Sequence, residues 1–307
     1  PQSRRCLICG GPVTVCSRSR AHGLATIRAK TEDILRSFAA GHLAQLARQA
    51  LEDEVCLTPK PGLVDRRNTG AHDDMDLPLF RRSAAALEPY FCRFVSLGMA
   101  GASPAELQAL GREAEHAMLT ATGGVNTHKG ALFSFAVLLS SLGRCLTVGG
   151  DVFDRSAALT AALLPPQGTN GAAVALRHQV GGARAEALAG FPTGRQAAAV
   201  LRESDPLTAL LWLMAHTEDS NLYHRGGATG AAFVKEQAAA ILEAPPERRV
   251  MLTQALDDAL IDRWLSPGGC ADLLALALFL ARWRDIPALS GFLRAKDLQS
   301  GGQQRII

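Results

Sequence analysis

From Ile34 to Val55 the apolar residues Ile34, Leu35, Phe38, Leu43, Leu46, Ala47, Ala50, Leu51 and Val55 recur at helical spacing. That is the period of a helix with one buried face, and no strand tolerates it. Thr31 is the expected cap, Glu32 and Asp33 favour the first turn, and Pro59 and Pro61 force the helix to stop. The same spacing predicts helices over 80–96, 104–121, 130–143, 153–164, 172–188, 194–201, 206–216, 230–242, 248–264 and 270–283. Aromatic residues are only 5% of the chain, and Ala and Leu fill most apolar positions, which favours helix over sheet. About eleven helices with short joints predict an all-α fold: a single compact multi-helix domain with glycine-rich functional loops.

The breaks between these helices hold most of the polar residues able to do chemistry. They fall at 59–76, 123–130, 181–192, 217–230 and 266–272, and each is rich in glycine, proline or both. Loops that only reverse the chain do not need such composition. Three regions are expected: a short Cys/Arg-rich segment over 1–28, the helical domain over 29–295, and a frayed polar tail over 296–307.

Composition removes several alternatives. Of 307 residues 48% are hydrophobic and 20% charged, enough apolar surface for a sizeable core and too much for disorder. The longest strictly apolar run, 273–281, is about half of a membrane span, so no membrane helix is expected. No secretory core opens the sequence. The net charge of +3 is uneven: residues 1–30 carry Arg4, Arg5, Arg18, Arg20, Arg28 and Lys30 and no carboxylate, leaving 26 cations against 29 carboxylates elsewhere. A slightly acidic body argues against nucleic acid as a partner. Of seven cysteines, Cys56, Cys92, Cys145 and Cys270 stand alone in helical contexts, which fits a reducing cytoplasm rather than a disulfide scaffold.

In the first break two prolines stiffen the backbone on either side of Lys60, and Asp65, Asn68, His72, Asp73, Asp74 and Asp76 follow within one short stretch. Such density suits a divalent metal or a phosphorylated sugar; the alternative is a solvated acidic loop after a helix. In the second, Gly123-Gly124-Val125-Asn126-Thr127-His128-Lys129-Gly130 runs straight into an apolar helix. Helix-start amides beside a lysine make a phosphate seat. It is not a Walker A loop, because His128 precedes Lys129 and Gly130 follows it. Glu186, Asp219 and Asp272 stand at expected helix ends, where each alone reads as a cap. Together, carboxylates from separate loops suit a magnesium-bound triphosphate.

These residues carry a resemblance. Glu54-Val55, the Pro59–Asp65 run, Gly70-Ala71-His72 with Asp74-Met75, Gly124–Gly130, Asp219 with Asn221, Arg225-Gly226-Gly227, and Ser266-Pro267-Gly268-Gly269 with Ala271-Asp272-Leu273-Leu274 resemble the triphosphoribosyl-dephospho-CoA synthase family. The motifs run in order from about residue 40 to 283. The resemblance implies ATP and dephospho-CoA as substrates, transfer of the triphosphoribosyl group, and release of adenine. The product would be the prosthetic-group precursor of the acyl carrier proteins of citrate lyase and malonate decarboxylase. The sequence departs from the family at Leu188, where a second Glu can follow the one matching Glu186.

On this reading Lys60, Lys129 and Arg225 hold phosphates, with Asn68, Asn126 and Asn221 lining the substrate. Asp219 and Asp272, joined by Glu186, carry magnesium. Asp65 or Asp74 takes the proton of the attacking hydroxyl, and His72 or His128 protonates departing adenine. Residues 5–22, with Cys6, Cys9, Cys16 and His22, resemble the C-terminal end of the transferase that loads the prosthetic group onto the citrate lyase acyl carrier protein. They read as the last stretch of a fused first enzyme, and that protein becomes an expected partner. Independently, the Cys6-x-x-Cys9 pair with Cys16 and His22 has the spacing of a zinc knuckle.

Two other readings exist. His72-Asp73, with His42 and Asp151, is the residue set of an all-α metal-dependent phosphohydrolase. A basic, zinc-bearing N-terminus would also serve a non-enzymatic module that docks an acyl carrier protein.

Overall fold

The computed structural model describes residues 4–165 and 181–283. Among them are twelve helices: α1 (Val13–Ser19), α2 (Leu24–Cys56), α3 (Leu77–Ala100), α4 (Pro104–Ala121), α5 (Lys129–Val148), α6 (Val152–Ala162), α7 (Ala183–Leu188), α8 (Pro192–Glu203), α9 (Pro206–His216), α10 (Ser220–Glu243), α11 (Pro246–Asp262) and α12 (Gly268–Trp283). The described residues hold no strand, only one isolated bridge between Arg5 and Pro12. The expected tail, 296–307, and residues 172–180 of the expected sixth helix lie outside the described residues.

Helix α5 is the centre. Thirteen of its residues are buried, against α3, α4, α6, α7 and α12. By length and composition it is apolar enough to cross a membrane, and here it is the core helix. Two glycines explain how closely α3 lies on it. Gly98 of α3 faces the Ser140 carbonyl and Gly143 of α5 faces the Val95 carbonyl, each leaving no room for a Cβ. The two backbones therefore touch. Phe135 then joins three helices, packing on Phe91 of α3 at 5.4 Å and edge-on against Phe279 of α12 at 5.5 Å. Helix α12, apolar on nearly every side, is covered by α2, α8 and α9.

Helix starts follow their caps. Ser103 and Glu106 form a capping box on α4, Asp205 caps α9 ahead of Pro206, and Asp76 caps α3. Two expectations need correction. The first long helix does not begin at Thr31: α2 starts at Leu24, and the Thr31 hydroxyl bonds back to the Ile27 carbonyl at 2.8 Å. Exposed residues 24–38 stay helical on propensity and on the Lys30–Asp33 and Glu32–Arg36 pairs, while burial begins at Ala39. The boundary expected at residue 28 thus lies inside α2. Likewise 217–230 is not a loop, because α10 begins at Ser220 and runs on through a kink at Gly227, whose φ is 60°.

Candidate active site

The loop from Leu57 to Asp76 is built around two carboxylates. Asp65 accepts bonds from the backbone N–H of Lys60 (3.1 Å), Arg67 (2.6 Å) and Asn68 (3.0 Å), which folds the loop onto itself. Asp257 of α11, fully buried, accepts from the Gly62 amide at 2.9 Å, from Arg67 at 3.1 Å and from the Asn68 side chain at 2.8 Å. Asn68 completes the turn by accepting from the Gly70 amide at 2.7 Å. Asp65 and Asn68 are therefore committed to the loop's shape. Asp257 was not singled out from the sequence, although an acid between Leu256 and Leu260 on an apolar face was the available signal.

This loop drives Lys60 inward. Its side chain is 2% exposed, and Nζ lies 2.5 Å from Oε1 of Glu54, a buried residue of α2 that the sequence reading placed only within a motif. Burial pushes the Glu54 carboxyl upward, and the lysine pulls it back. On the far side stands His128, at the start of α5. Thr127 donates to Ser83 Oγ at 2.7 Å, and Ser83 bonds His128 Nδ1 at 2.7 Å. Having accepted from Thr127, Ser83 has its own proton free for Nδ1, an arrangement that leaves the ring hydrogen on Nε2. That Nε2 is buried and unpartnered among the described residues. Burial, then the Lys60 charge, lowers the imidazole to about 3, so it is neutral.

Two further carboxylates close the cluster. Asp219 caps α10 through Oδ1, accepting from Asn221 at 2.8 Å and Leu222 at 3.3 Å, while Oδ2 accepts from the Cys270 amide of α12 at 2.8 Å. Burial raises its carboxyl, and these amides oppose the rise. Asp272, one turn into α12, reaches the N-terminus of α5 and accepts from the Ala131 amide. Enclosure raises its carboxyl well above the usual range, and the charges of Glu54 and Asp219 add to this.

Beside this group Arg225 of α10 donates to the Ala71 carbonyl at 2.6 Å and to His72 Nδ1 at 3.2 Å. His72 Nε2 bonds Ser266 Oγ at 2.8 Å. Burial, then Arg225, lowers His72 to about 4. Asp74, exposed, has Oδ1 3.9 Å from His72 Nδ1. The Asn221 amide packs on Gly268, 2.7 Å from where a Cβ would stand.

Lys60, His128, Asp219 and Asp272 thus come together with Glu54 from α2, α5, α10, α12 and the loop. His72, Asp74, Asn221 and Arg225 adjoin them. Lys129 and Asn126 are exposed at the rim, with Lys129 paired to Glu115 of α4 at 2.5 Å. Glu186 accepts from the Gly194 amide at 3.0 Å at the start of α8, while Gly182 lies against Ser220, next to Asp219. His42 stacks on Phe38 and Asp151 caps α6, and among the described residues His42, His72, Asp73 and Asp151 do not form a metal-holding group. Apart from all of these, Cys6, Cys9, Cys16 and His22 cluster with ligand atoms within 4.8 Å of one another, able to hold a metal such as zinc.

An all-helical body that gathers one buried lysine and several enclosed carboxylates from separate segments has the charge to hold a polar, charged ligand. Comparison with known proteins gives the family. Residues 40–289 match the ATP:dephospho-CoA triphosphoribosyl transferase family, and residues 1–38 match the apo-citrate lyase phosphoribosyl-dephospho-CoA transferase family. The 2-(5''-triphosphoribosyl)-3'-dephosphocoenzyme-A synthase of Pectobacterium atrosepticum is 39% identical over 284 residues, covering 83% of this chain and 94% of that protein. The synthase of the same name from Haemophilus ducreyi is 36% identical over 317 aligned positions, covering 89% and 98%. No solved structure matches. The chain belongs to the ATP:dephospho-CoA triphosphoribosyl transferase family, an enzyme family whose substrates are ATP and dephospho-CoA. The two family matches meet inside α2, which runs through the junction without a break.

Proposed function

We propose that this chain moves the 5-triphosphoribosyl group of ATP onto the 2′-hydroxyl of dephospho-CoA, releases adenine, and serves citrate lyase. The convergence of Glu54, Lys60, His128, Asp219 and Asp272 carries the reading. The bond broken joins ribose C1′ to adenine, and its electron pair leaves with the base. The bond formed joins the acceptor oxygen to C1′, and the hydroxyl proton departs. A developing oxocarbenium needs carboxylates near C1′, and the triphosphate needs cations.

Lys60 supplies a buried charge at the floor, Lys129 and Arg225 supply charge toward the rim, and Asn126 and Asn221 line the substrate. His128, held neutral with Nε2 unpartnered among the described residues, donates a hydrogen bond to the departing base, which takes its proton from water, while His72, tied at one nitrogen to Arg225 and at the other to Ser266, holds Arg225 in place for the phosphates. Asp74, beside His72 and open to solvent, takes the hydroxyl proton, and Asp65 holds the loop that presents it. Displacement from the opposite face inverts the anomeric centre from β to α.

The oxygen donors Glu54 and Asp272 suit magnesium, because a divalent cation would offset both the burial and the neighbouring negative charges that raise the Asp272 carboxyl. Asp272 and Glu54 would hold it, with Asp219 fixing the N-terminus of α12 and Glu186 that of α8. When bound, magnesium neutralises triphosphate charge. The acyl carrier protein of citrate lyase is the expected downstream partner, on the strength of the match at 1–38. Seven free cysteines favour the cytoplasm.

Incubation with ATP, magnesium and dephospho-CoA should give equimolar adenine and a coenzyme heavier by one triphosphoribosyl group in mass spectra. Inorganic phosphate without adenine would replace this reading with a hydrolase.

A further inference from the structure

Residues 4–22 fold without a core of their own. None of the residues of α1 is buried, and a segment this short cannot hold a fixed shape on apolar contacts. Its backbone is nevertheless ordered into a knuckle. The Cys6 amide donates to the Gly11 carbonyl at 2.7 Å, the Gly10 amide returns to the Cys6 carbonyl at 2.9 Å, and Gly10 turns the chain at a φ of 71°. The amides of Ile8 and Cys9 both donate to the Cys6 sulfur, as they do where that sulfur is a charged ligand.

Cys16, one turn into α1, lies across from this knuckle with its sulfur 3.4 Å from that of Cys9. Arg20, at a φ of 51°, ends α1 and bends the chain back, and the Ala21 amide donates to the Cys16 carbonyl at 3.1 Å. That bend returns His22 to the thiols. Its Nε2 is buried and has no hydrogen-bond partner among the described residues. The four ligand atoms lie within 4.8 Å of one another. Tetrahedral zinc with bonds of about 2.3 Å to sulfur and about 2.0 Å to nitrogen sets its ligand atoms roughly 3.5–3.8 Å apart. The cluster needs only a small contraction to meet that.

We infer that Cys6, Cys9, Cys16 and His22 form a structural zinc site, closed to solvent ligands, that folds the N-terminal segment as a unit. The donor set excludes the hard cations: residues 1–30 contain no carboxylate, and three thiolates with one imidazole select zinc over magnesium or calcium. Four protein ligands leave no open position for catalysis. On binding, thiol protons are released to solvent and no electrons move. The site stands apart from the transfer pocket and does not depend on how that pocket is read.

Elemental analysis of the full chain purified under reductant should give one zinc per chain. Replacement by cobalt should give the ligand-field bands of a tetrahedral thiolate site. Cys9→Ser and Cys16→Ser should abolish those bands, His22→Ala should weaken metal affinity by at least about tenfold, and His22→Cys should restore it. Adenine release should persist in all four variants, so failure of this site and failure of the transfer reaction are separately visible. Hydrogen exchange should show residues 4–22 losing protection on chelation while α3 to α12 keep theirs. Substoichiometric metal, cobalt bands indifferent to Cys9→Ser, or a Cys9–Cys16 disulfide that takes up no metal after reduction would each overturn the assignment.

Discussion

The carboxylate of Asp272 occupies the space that a side chain on Gly130 would need, so the first turn of α5 and the first turn of α12 meet only because residue 130 has no Cβ. The glycine is thus a condition for where the acid sits. Gly130→Ala should displace Asp272 while leaving the helices intact, since alanine favours helix. A misplacement of about 1 Å costs on the order of 10²-fold in rate. Steady-state adenine release should show that loss with an unchanged circular dichroism spectrum. Full activity in Gly130→Ala would remove Asp272 from the pocket's working geometry.

The Glu54–Lys60 pair is buried at both ends, 4% and 2% exposed. Removing one partner strands the other, at a cost of about 3–5 kcal/mol. Glu54→Gln and Lys60→Met should each lower the urea midpoint by that measure. The double variant should recover much of the stability and none of the activity, because Lys60 then offers no charge to the phosphates. Recovery of both would make the pair purely structural.

Asp219 joins α10 to α12, so its loss is felt twice. Asp219→Ala removes the cap of α10 and orphans the Cys270 amide, about 2–4 kcal/mol together. Asp219→Asn keeps one acceptor and should lose about half as much. Chemical denaturation of the two variants checks the order, and equal stabilities would show that the Cys270 bond contributes nothing.

Legibility in the sequence followed a physical divide. Helices over 104–121 and 206–216 were read at their observed bounds, each opening on a proline, and the structure adds the caps: Ser103 with Glu106, and Asp205 ahead of Pro206. The start of α10 was hidden, since His224-Arg225-Gly226-Gly227 and Gly230 look like a turn. Gly226 and Gly230 are there because the Leu265 side chain packs against them, which is a tertiary reason for a residue with poor helix propensity. In the site, Lys60, His128, Asp219 and Asp272 stood out because they punctuate breaks. Glu54 and Asp257 did not, because each lies inside a helix whose apolar period absorbs it. Asp65 and Asn68 looked chemical, and their polar atoms turn inward to the loop's own amides.

Lys129 lies at the rim, 44% exposed and ion-paired with Glu115 near the surface. Such a pair adds about 0–1 kcal/mol, so Lys129→Ala should leave stability nearly untouched. A lost charge-assisted contact to phosphate is worth about 1.5–3 kcal/mol. The KM for ATP should therefore rise by roughly ten- to a hundredfold with kcat little changed, and the defect should shrink as salt screens the native enzyme too. A fall in kcat at constant KM would place Lys129 at the reacting carbon instead.

His128 and His72 set the acid limit. Their folded values, about 3 and about 4, lie below the ordinary 6.5, so the native state resists protons that the unfolded chain accepts. With more protons bound in the unfolded state, stability rises with pH: it is complete above about 6.5 and is lost as pH falls toward the folded values. Each histidine adds at most about 1.4 kcal/mol per pH unit in that window, less for His72, which is partly open to solvent. Glu54, Asp219 and Asp272 act in the opposite sense, because burial raises their carboxyls and protonation then favours the folded state. The histidine contribution is isolated by difference. Urea midpoints at pH 7, 6 and 5 should fall less steeply in His128→Asn than in the parent chain, by close to one proton. Parallel slopes would mean that the His128 ring titrates freely, and with it would go the neutral donor beside Lys60.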